Sequence, residues 1–365
     1  MKNIRLLLLP FSFLYGTLVS IRNILYDIGI FRSKKFNIPV ISVGNLCTGG
    51  SGKTPQIEYL IRLLSPVCQL ATLSRGYGRS TSGFLMVSEQ SPSTEVGDEP
   101  RQFKHKFPSV PVAVDGDRVH GIKKLCRDIS SLGIVLLDDA FQHRAVKPGL
   151  SILLTDFSDR YDKDMVLPAG NLREFRSGAK RADVIIVTKC PETLSPIEKR
   201  CITRDLKPQA YQHVYFSKII YGRLISLTIQ NKQPDQNEIK LQATTRVLLL
   251  TGIANAEPLF QYISAKTKNI RHIRFSDHHE YSMVELLNLK QQFDQLNGSD
   301  KIIITTEKDA MRIDKSGLLE VVQDLPLFYL PIEASFLFDE SESFNKFIRD
   351  YVKGFRRGTE SIGRF

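Results

Sequence analysis

Short apolar runs alternate with helical patterns along most of this chain. Pro39-Val40-Ile41-Ser42-Val43, Leu70 to Leu73, Val110 to Val114, Ile134 to Leu137, Ile152 to Leu154 and Val184 to Val187 have the length of strands, and Gln56 to Leu64 repeats its apolar positions at helical spacing. This alternation predicts an α/β fold whose mostly parallel sheet is covered by helices on both faces. After about residue 210 the pattern changes. Val214 to Tyr221 and Ile225 to Thr228 read as paired strands, followed by a polar stretch from Gln230 to Gln242 expected to be a surface loop. A second set of runs then begins at Val247-Leu248-Leu249-Leu250-Thr251-Gly252 and continues at Ile302 to Thr306 and Leu327 to Leu330. The expected organisation is an N-terminal apolar helix (1–36), a main domain (37–212), a β-hinge with its loop (213–245), a smaller C-terminal α/β domain (246–350) and a basic tail (351–365).

The amino terminus departs from this alternation. Leu6 to Ile21 carries no charge and lies between Arg5 and Arg22. The run is shorter than the roughly 20 apolar residues of a spanning helix, and Pro10 interrupts it. No small-residue cleavage site follows, as a secretory signal would require. A helix lying in or dipping into the cytoplasmic leaflet is expected, with Arg22, Arg32, Lys34 and Lys35 at anionic headgroups; packing on the protein's own core is the alternative.

Composition adds two constraints. Across 365 residues, 42% hydrophobic and 24% charged, the chain has the balance of an ordinary globular protein and the length for two domains. Fifty Lys and Arg against 39 Asp and Glu give a formal charge of +11, which favours anionic partners. The five cysteines are scattered, with no C-x-x-C pair, so neither a disulfide framework nor a zinc site is suggested, and a reducing compartment is expected.

Candidate chemistry gathers where strands of such a sheet end. After Val43 comes Thr48-Gly49-Gly50-Ser51-Gly52-Lys53-Thr54, between a strand and a helix. Glycines let several backbone N–H groups face one anion, the helix start adds its positive dipole end, Lys53 neutralises β/γ-phosphate charge and Thr54 offers a hydroxyl to Mg²⁺. These parts make a nucleotide triphosphate site. The usual first glycine of such a loop is replaced by Cys47.

The run Gly133 to Leu137 ends in Asp138-Asp139, the pattern by which P-loop proteins place a carboxylate on Mg²⁺ or its water. Neighbouring strand residues point to opposite faces, so Asp138 is the expected primary ligand and Asp139 its neighbour. Thr188-Lys189-Cys190-Pro191 lacks the Asp that would read a guanine base. Elsewhere, Asp98 in Gly97-Asp98-Glu99-Pro100 reads as a turn or N-cap. Asp277-His278-His279 and Thr306-Glu307-Lys308-Asp309 stand out in the second domain, as loop elements able to close over a phosphate site or, for Thr306, as a helix cap.

Together, Ser42-Val43-Gly44-Asn45-Leu46, Gly49 to Pro55, Ser74-Arg75-Gly76-Tyr77-Gly78, Val96 to Pro100, Asp138-Asp139-Ala140-Phe141-Gln142-His143, Leu167-Pro168-Ala169-Gly170, Asp277-His278 and Thr306 to Asp309 resemble the tetraacyldisaccharide 4'-kinase family. The resemblance runs from about residue 5 to about residue 331. It implies phosphoryl transfer from ATP, with Mg²⁺, to the 4'-hydroxyl of a tetraacylated glucosamine disaccharide 1-phosphate, at the cytoplasmic face of a bacterial inner membrane. It also implies that Asp98 is the base and that His278 pairs with it, with Glu99 and Glu174 in support. The lipid and an anionic membrane surface are the expected partners; nucleic acid and an obligate protein partner are not. Arg75, Arg79, Arg118, Arg173 and Arg176 are candidates for the substrate 1-phosphate or lipid headgroups. The rival is a membrane-associated P-loop GTPase or ATPase switch of the metallochaperone kind, which shares the glycine loop and would use His278-His279 for metal delivery.

Overall fold

A computed structural model describes residues 5–227, 240–314 and 317–362. The chain packs into two compact units, one drawing on Met1–Glu89, Phe103–Ile220 and Glu333–Phe365, the other on Gln90–Gln102 and Tyr221–Ile332.

The first unit is built on a nine-stranded sheet. Its strands in chain order are β1 (Val40–Asn45), β2 (Leu70–Ser74), β3 (Leu85–Met86), β4 (Val112–Val114), β5 (Ile134–Asp138), β6 (Leu150–Asp156), β7 (Val184–Thr188) and β8 (His213–Tyr221), joined near the end of the chain by Ile332–Phe336. The spatial order runs from Ile332–Phe336 through β8, β7, β6, β1, β5, β2 and β4 to β3. From β4 to β8 each neighbour is parallel, and only the edge pair β3–β4 is antiparallel among the registers of these eight strands. β1 sits in the middle, fully buried, because helices cover both faces of its apolar run. The chain leaves β1 for β2 on one side and later returns to β6 on the other, so the carboxyl ends of β1 and β5 lie where the winding reverses. Ligands of open α/β sheets bind at such points. The helix Lys53–Leu64 that follows β1 buries Ile57, Leu60, Ile61 and Leu64, one stripe at helical spacing.

The second unit has a five-stranded sheet in the order Ile270–Arg274, Arg246–Thr251, Lys301–Thr306, Leu327–Leu330, Ile225–Ser226. The first four strands are mutually parallel and the last is an antiparallel edge. Helices Glu257–Ser264, Met283–Asp294 and Glu307–Ile313 intervene, the second opened by a capping box in which Ser282 and Glu285 satisfy each other's backbone N–H groups.

Several expectations change. Val214 to Tyr221 and Ile225 to Ser226 do not pair: β8 lies beside β7, whereas Ile225–Ser226 lies beside Leu327–Leu330 in the other sheet. Each is paired instead within a larger sheet, which gives it more support than a free two-stranded ribbon would have. Thr228 and most of the polar stretch Gln230 to Gln242 fall outside the described residues. The region expected as the C-terminal domain, 246–350, leaves the second unit at Ile332, because Ile332–Phe336 hydrogen-bonds beside β8 and the helix Ser341–Ile362 buries Phe344, Ile348 and Val352 on the first unit. Phe344 there meets the rings of Tyr59, Tyr215 and Phe336. The expected basic tail is therefore helical through Ile362. Conversely, Gln90–Gln102, expected within the main domain, belongs to the second unit.

The N-terminal run is one continuous helix from Leu9 to Asp27 behind a short 3-10 turn, Leu6–Leu8. Pro10 does not interrupt it; it occupies the first turn, where its missing N–H has no intrahelical partner to lose. The stretch Leu6–Asp27 is long and apolar enough to cross a membrane, with mean hydropathy 1.3. Only Ser12 and Gly16 are buried, and Leu7, Phe11, Phe13, Leu14 and Leu18 are exposed.

Candidate active site

In the first unit, β1 delivers Asn45 to its carboxyl end, and the loop 46–52 turns back into the helix beginning at Lys53. Gly49 and Gly52 adopt φ +109° and +80°, left-handed values that turn backbone N–H groups inward and that a Cβ would strain. Ser51 Oγ is buried with no hydrogen-bond partner. The loop is braced from below. Thr188 Oγ1 donates to Ser51 O at 2.8 Å, Lys189 Nζ bonds Gly50 O and pairs with Asp156 at 2.8 Å, and Thr48 N donates to Asn171 O at 2.8 Å. Thr188-Lys189, where a base-reading motif is absent, thus braces the glycine loop instead. Cys47, in place of the usual glycine, is buried, and burial with nearby aspartates pushes its thiol up to about 12.

Lys53 Nζ lies 3.4 Å from Asn45 Oδ1 and 3.7 Å from Asp139. Asp138 is the last residue of β5; it is buried and accepts from Ser74 Oγ at 3.2 Å. Asp139 leaves the strand at φ +45° and takes Arg173 Nη1 on both oxygens, at 3.0 and 3.1 Å. The two neighbouring carboxylates thus do different things: Asp138 faces inward beside Ser74, and Asp139 gathers cations. Thr54 is buried at the start of the loop's helix. The buried hydroxyl of Thr54 and the carboxylate of Asp138 are hard oxygen donors of the kind Mg²⁺ takes, so the donor set fits that ion. Nearby, burial and the charge of Arg118 push His143 down to about 4, which keeps its ring neutral at pH 7.

The segment 164–176 ties the N-terminal helix to this site. Ala169 N donates to Ser12 Oγ at 2.8 Å, Tyr15 Oη donates to Arg173 O at 3.2 Å, and Asn23 Nδ2 donates to Glu174 Oε2 at 2.8 Å. Glu174 also accepts from Gln142 and Arg181, at 3.2 and 2.7 Å. Arg173 N in turn donates to Leu46 O at 2.7 Å, next to the loop. Of the candidate arginines, Arg173 is thus committed to Asp139, Arg176 to Asp164 O, Arg79 to Gly83 O and the buried Arg118 to Gly116 O. Arg75, exposed, lines an open pocket of about 530 Å³ with Tyr77, Arg79 and Asp115.

In the second unit, Asp98 opens the helix Asp98–Lys106 behind Gly97, whose φ of +96° makes the corner. His278, itself at φ +58°, places Nδ1 3.2 Å from Asp98 Oδ2. The structure therefore brings together the two residues expected to act as a pair, although 180 positions separate them. Its neighbour His279 goes elsewhere, to Glu285 at 3.0 Å, stacked on Phe275. Among the described residues no group of three His, Cys, Asp or Glu is arranged to hold a metal, so a His278-His279 delivery site has no third ligand. Thr306 caps its helix by accepting from Asp309 N at 3.1 Å.

That helix also carries two residues that sequence reasoning missed or left without a role. Lys308 pairs with Glu99, and Arg312 binds Asp98 Oδ2 through Nη2 at 2.6 Å and Nε at 3.0 Å. Burial alone would raise the Glu99 carboxyl, but the charge and hydrogen bond of Lys308 hold it down at about 2. The available signal was spacing: Lys308 and Arg312 are four apart and share a helix face.

A family model described as Tetraacyldisaccharide-1-P 4'-kinase matches residues 4–353. A tetraacyldisaccharide 4'-kinase of Bacteroides thetaiotaomicron is 45% identical over 352 residues, 95% of this chain and 93% of that protein. One from Phocaeicola vulgatus is 43% identical over 348 residues, 95% of this chain and 94% of that protein. Among solved structures, LpxK from Aquifex aeolicus, described as an apo form in complex with ATP, superimposes with a TM-score of 0.72 at 30% identity, covering 96% of this chain and 99% of that one.

Proposed function

The chain belongs to the tetraacyldisaccharide 4'-kinase family, and from that premise we propose that it transfers the γ-phosphoryl group of ATP to the 4'-hydroxyl of a tetraacylated glucosamine disaccharide 1-phosphate in lipid A biosynthesis. The observation that carries this reading is the phosphate cradle Gly49–Thr54 at the sheet's winding reversal, within a family match that spans nearly the whole chain.

The work divides between the two ends of the transfer. A γ-phosphoryl group surrounded by negative charge is attacked by a poorly nucleophilic sugar hydroxyl, so alignment and charge compensation supply most of the catalysis. On the donor side, the backbone N–H groups of the loop and the helix start hold phosphate oxygens, and Lys53 adds a full positive charge to them. Thr54 and Asp138 would hold Mg²⁺, with Asp139 beside them keeping Arg173 and Lys53 in place. Bound Mg²⁺ offsets the charge of the donor phosphates. On the acceptor side, Asp98 takes the proton of the 4'-hydroxyl as the O–P bond forms, and His278 orients its carboxylate. The exposed apolar face of Leu6–Asp27 seats the enzyme on the cytoplasmic face of the inner membrane, where the acylated substrate resides.

The test is to incubate the full-length protein in detergent with γ-labelled ATP, Mg²⁺ and tetraacyldisaccharide 1-phosphate. Label passes to the lipid with wild type and is lost in Lys53→Ala and Asp98→Ala. Phosphate released to water without labelled lipid would overturn the assignment in favour of a nucleotide-hydrolysing switch.

A further inference from the structure

Arg312 is a buried cation with an unusual set of partners. Its side chain is 1% exposed. A guanidinium has five N–H donors in a rigid fork, and here four of them have oxygen acceptors. Nη1 serves Gly252 O at 2.8 Å and Asp309 Oδ1 at 3.0 Å. Nε and Nη2 converge on Asp98 Oδ2, the oxygen that also lies 3.2 Å from His278 Nδ1.

The anchor behind it is equally fixed. Asp309 is fully buried, and its second oxygen accepts from Gly252 N at 3.0 Å and from Thr306 Oγ1 at 2.7 Å. A rigid line therefore runs from the end of strand Arg246–Thr251 through Asp309 and Arg312 to one oxygen of Asp98. Every hydrogen bond of the Asp98 side chain falls on Oδ2; Oδ1 makes none among the described residues.

We propose that Arg312 is a positioning residue for phosphoryl transfer, clamping Asp98 by Oδ2 so that Oδ1 alone is presented to the acceptor hydroxyl. The inference rests on the reading of Asp98 as the base. A purely architectural role would be to fasten the segment 90–102 to the second unit, but that task is already served twice, by Glu99–Lys308 and by Arg101–Asp314 at 3.1 Å. Those pairs hold the backbone just after Asp98 and do not touch its carboxylate, which apart from the single His278 contact is fixed by the Arg312 fork. Lysine, a single point donor, cannot reach Asp98, Asp309 and Gly252 together.

The experiment uses the full-length enzyme in detergent, with kcat and KM measured for Asp98→Asn, Arg312→Met, Arg312→Lys and the double variant Asp98→Asn/Arg312→Met. Misplacing a reacting group by about 1 Å costs on the order of 100-fold. Arg312→Met is expected to lose about that much in kcat, and Arg312→Lys about 10-fold, with KM for ATP and lipid changed less than about twofold. The double variant should be no slower than Asp98→Asn alone, because Arg312 acts only through Asp98. If Arg312→Met does not fold, Arg312→Lys decides, with kcat taken at a temperature well below its melting point. Either folded variant within about threefold of wild-type kcat, while Asp98→Asn is inactive, overturns the clamp and leaves the base standing. Multiplying losses in the double variant also overturn it. Wild-type kcat in Asp98→Asn instead defeats the base assignment, and the clamp with it.

Discussion

Replacing Glu99 with glutamine keeps the side chain's shape, removes its charge and leaves Lys308 without its counter-ion. Lys308 holds the Glu99 carboxyl down at about 2 from an ordinary 4.5. At about 1.4 kcal/mol per pH unit, that depression corresponds to about 3 kcal/mol. Both partners retain some exposure, 22% and 31%, and solvent screening brings the pair to about 2 kcal/mol. The folded-state value lies below the unfolded one, so this stability is fully present above about pH 4.5 and drains away as pH falls toward 2. Global unfolding is a poor readout in a two-unit chain, so the assay is hydrogen exchange by mass spectrometry on peptides covering 98–106 and 307–313. At pH 7, Glu99→Gln should exchange roughly 30-fold faster than wild type in these peptides, the ratio that about 2 kcal/mol implies. The ratio should shrink as both proteins are taken from about pH 4.5 to pH 2, where wild type reaches the same neutral side chain. A neutral-pH ratio within about twofold, or one undiminished at pH 2, would refute the reasoning.

Three further outcomes follow from the first unit. Gly52→Ala places a side chain at φ +80°, at a cost of about 1–2 kcal/mol, and should weaken binding of a non-hydrolysable ATP analogue about tenfold by calorimetry. Cys47 and Cys190, both buried with thiols pushed up to about 12, should resist iodoacetamide at pH 8 while the exposed Cys126 and Cys201 label, as peptide mapping would reveal. Gly16→Leu sets a Cβ 2.5 Å from the Phe175 ring; the helix must lift from segment 164–176, whose amide protection should fall while flotation with anionic vesicles persists.

Much of the first unit could be read from its strands because they are buried on both faces and so stay apolar throughout, as Ile134 to Leu137 and Val184 to Val187 do. The glycine loop was equally legible, since its backbone demands particular residues. Edge and crossing elements were harder. Ile270–Arg274 carries Arg271, His272 and Arg274 among its five residues and sits at a sheet edge, so it never made an apolar run. Ile225–Ser226 looked like a partner for β8 because sequence proximity suggests a hairpin, whereas its pairing is decided by a distant strand. Pro10 reads as a breaker until the helix start is located one residue before it. In the second unit, Asp98 and His278 came from family resemblance, and no local pattern announced their meeting. Arg312 lay three residues beyond Thr306 to Asp309, yet its importance depends on a partner 214 positions away.

The interleaved path of the chain also bears on how the molecule is made. Gln90–Gln102 leaves the ribosome well before Tyr221–Ile332, the rest of its unit, and the first unit still lacks Glu333–Phe365 when the second is complete. Neither unit can finish as an independent bead during synthesis, in contrast to chains whose domains mature one after another. A nonsense mutation after Ile332 leaves the first unit without its last sheet strand and its closing helix, and a gene split at any single point leaves at least one unit divided between two polypeptides.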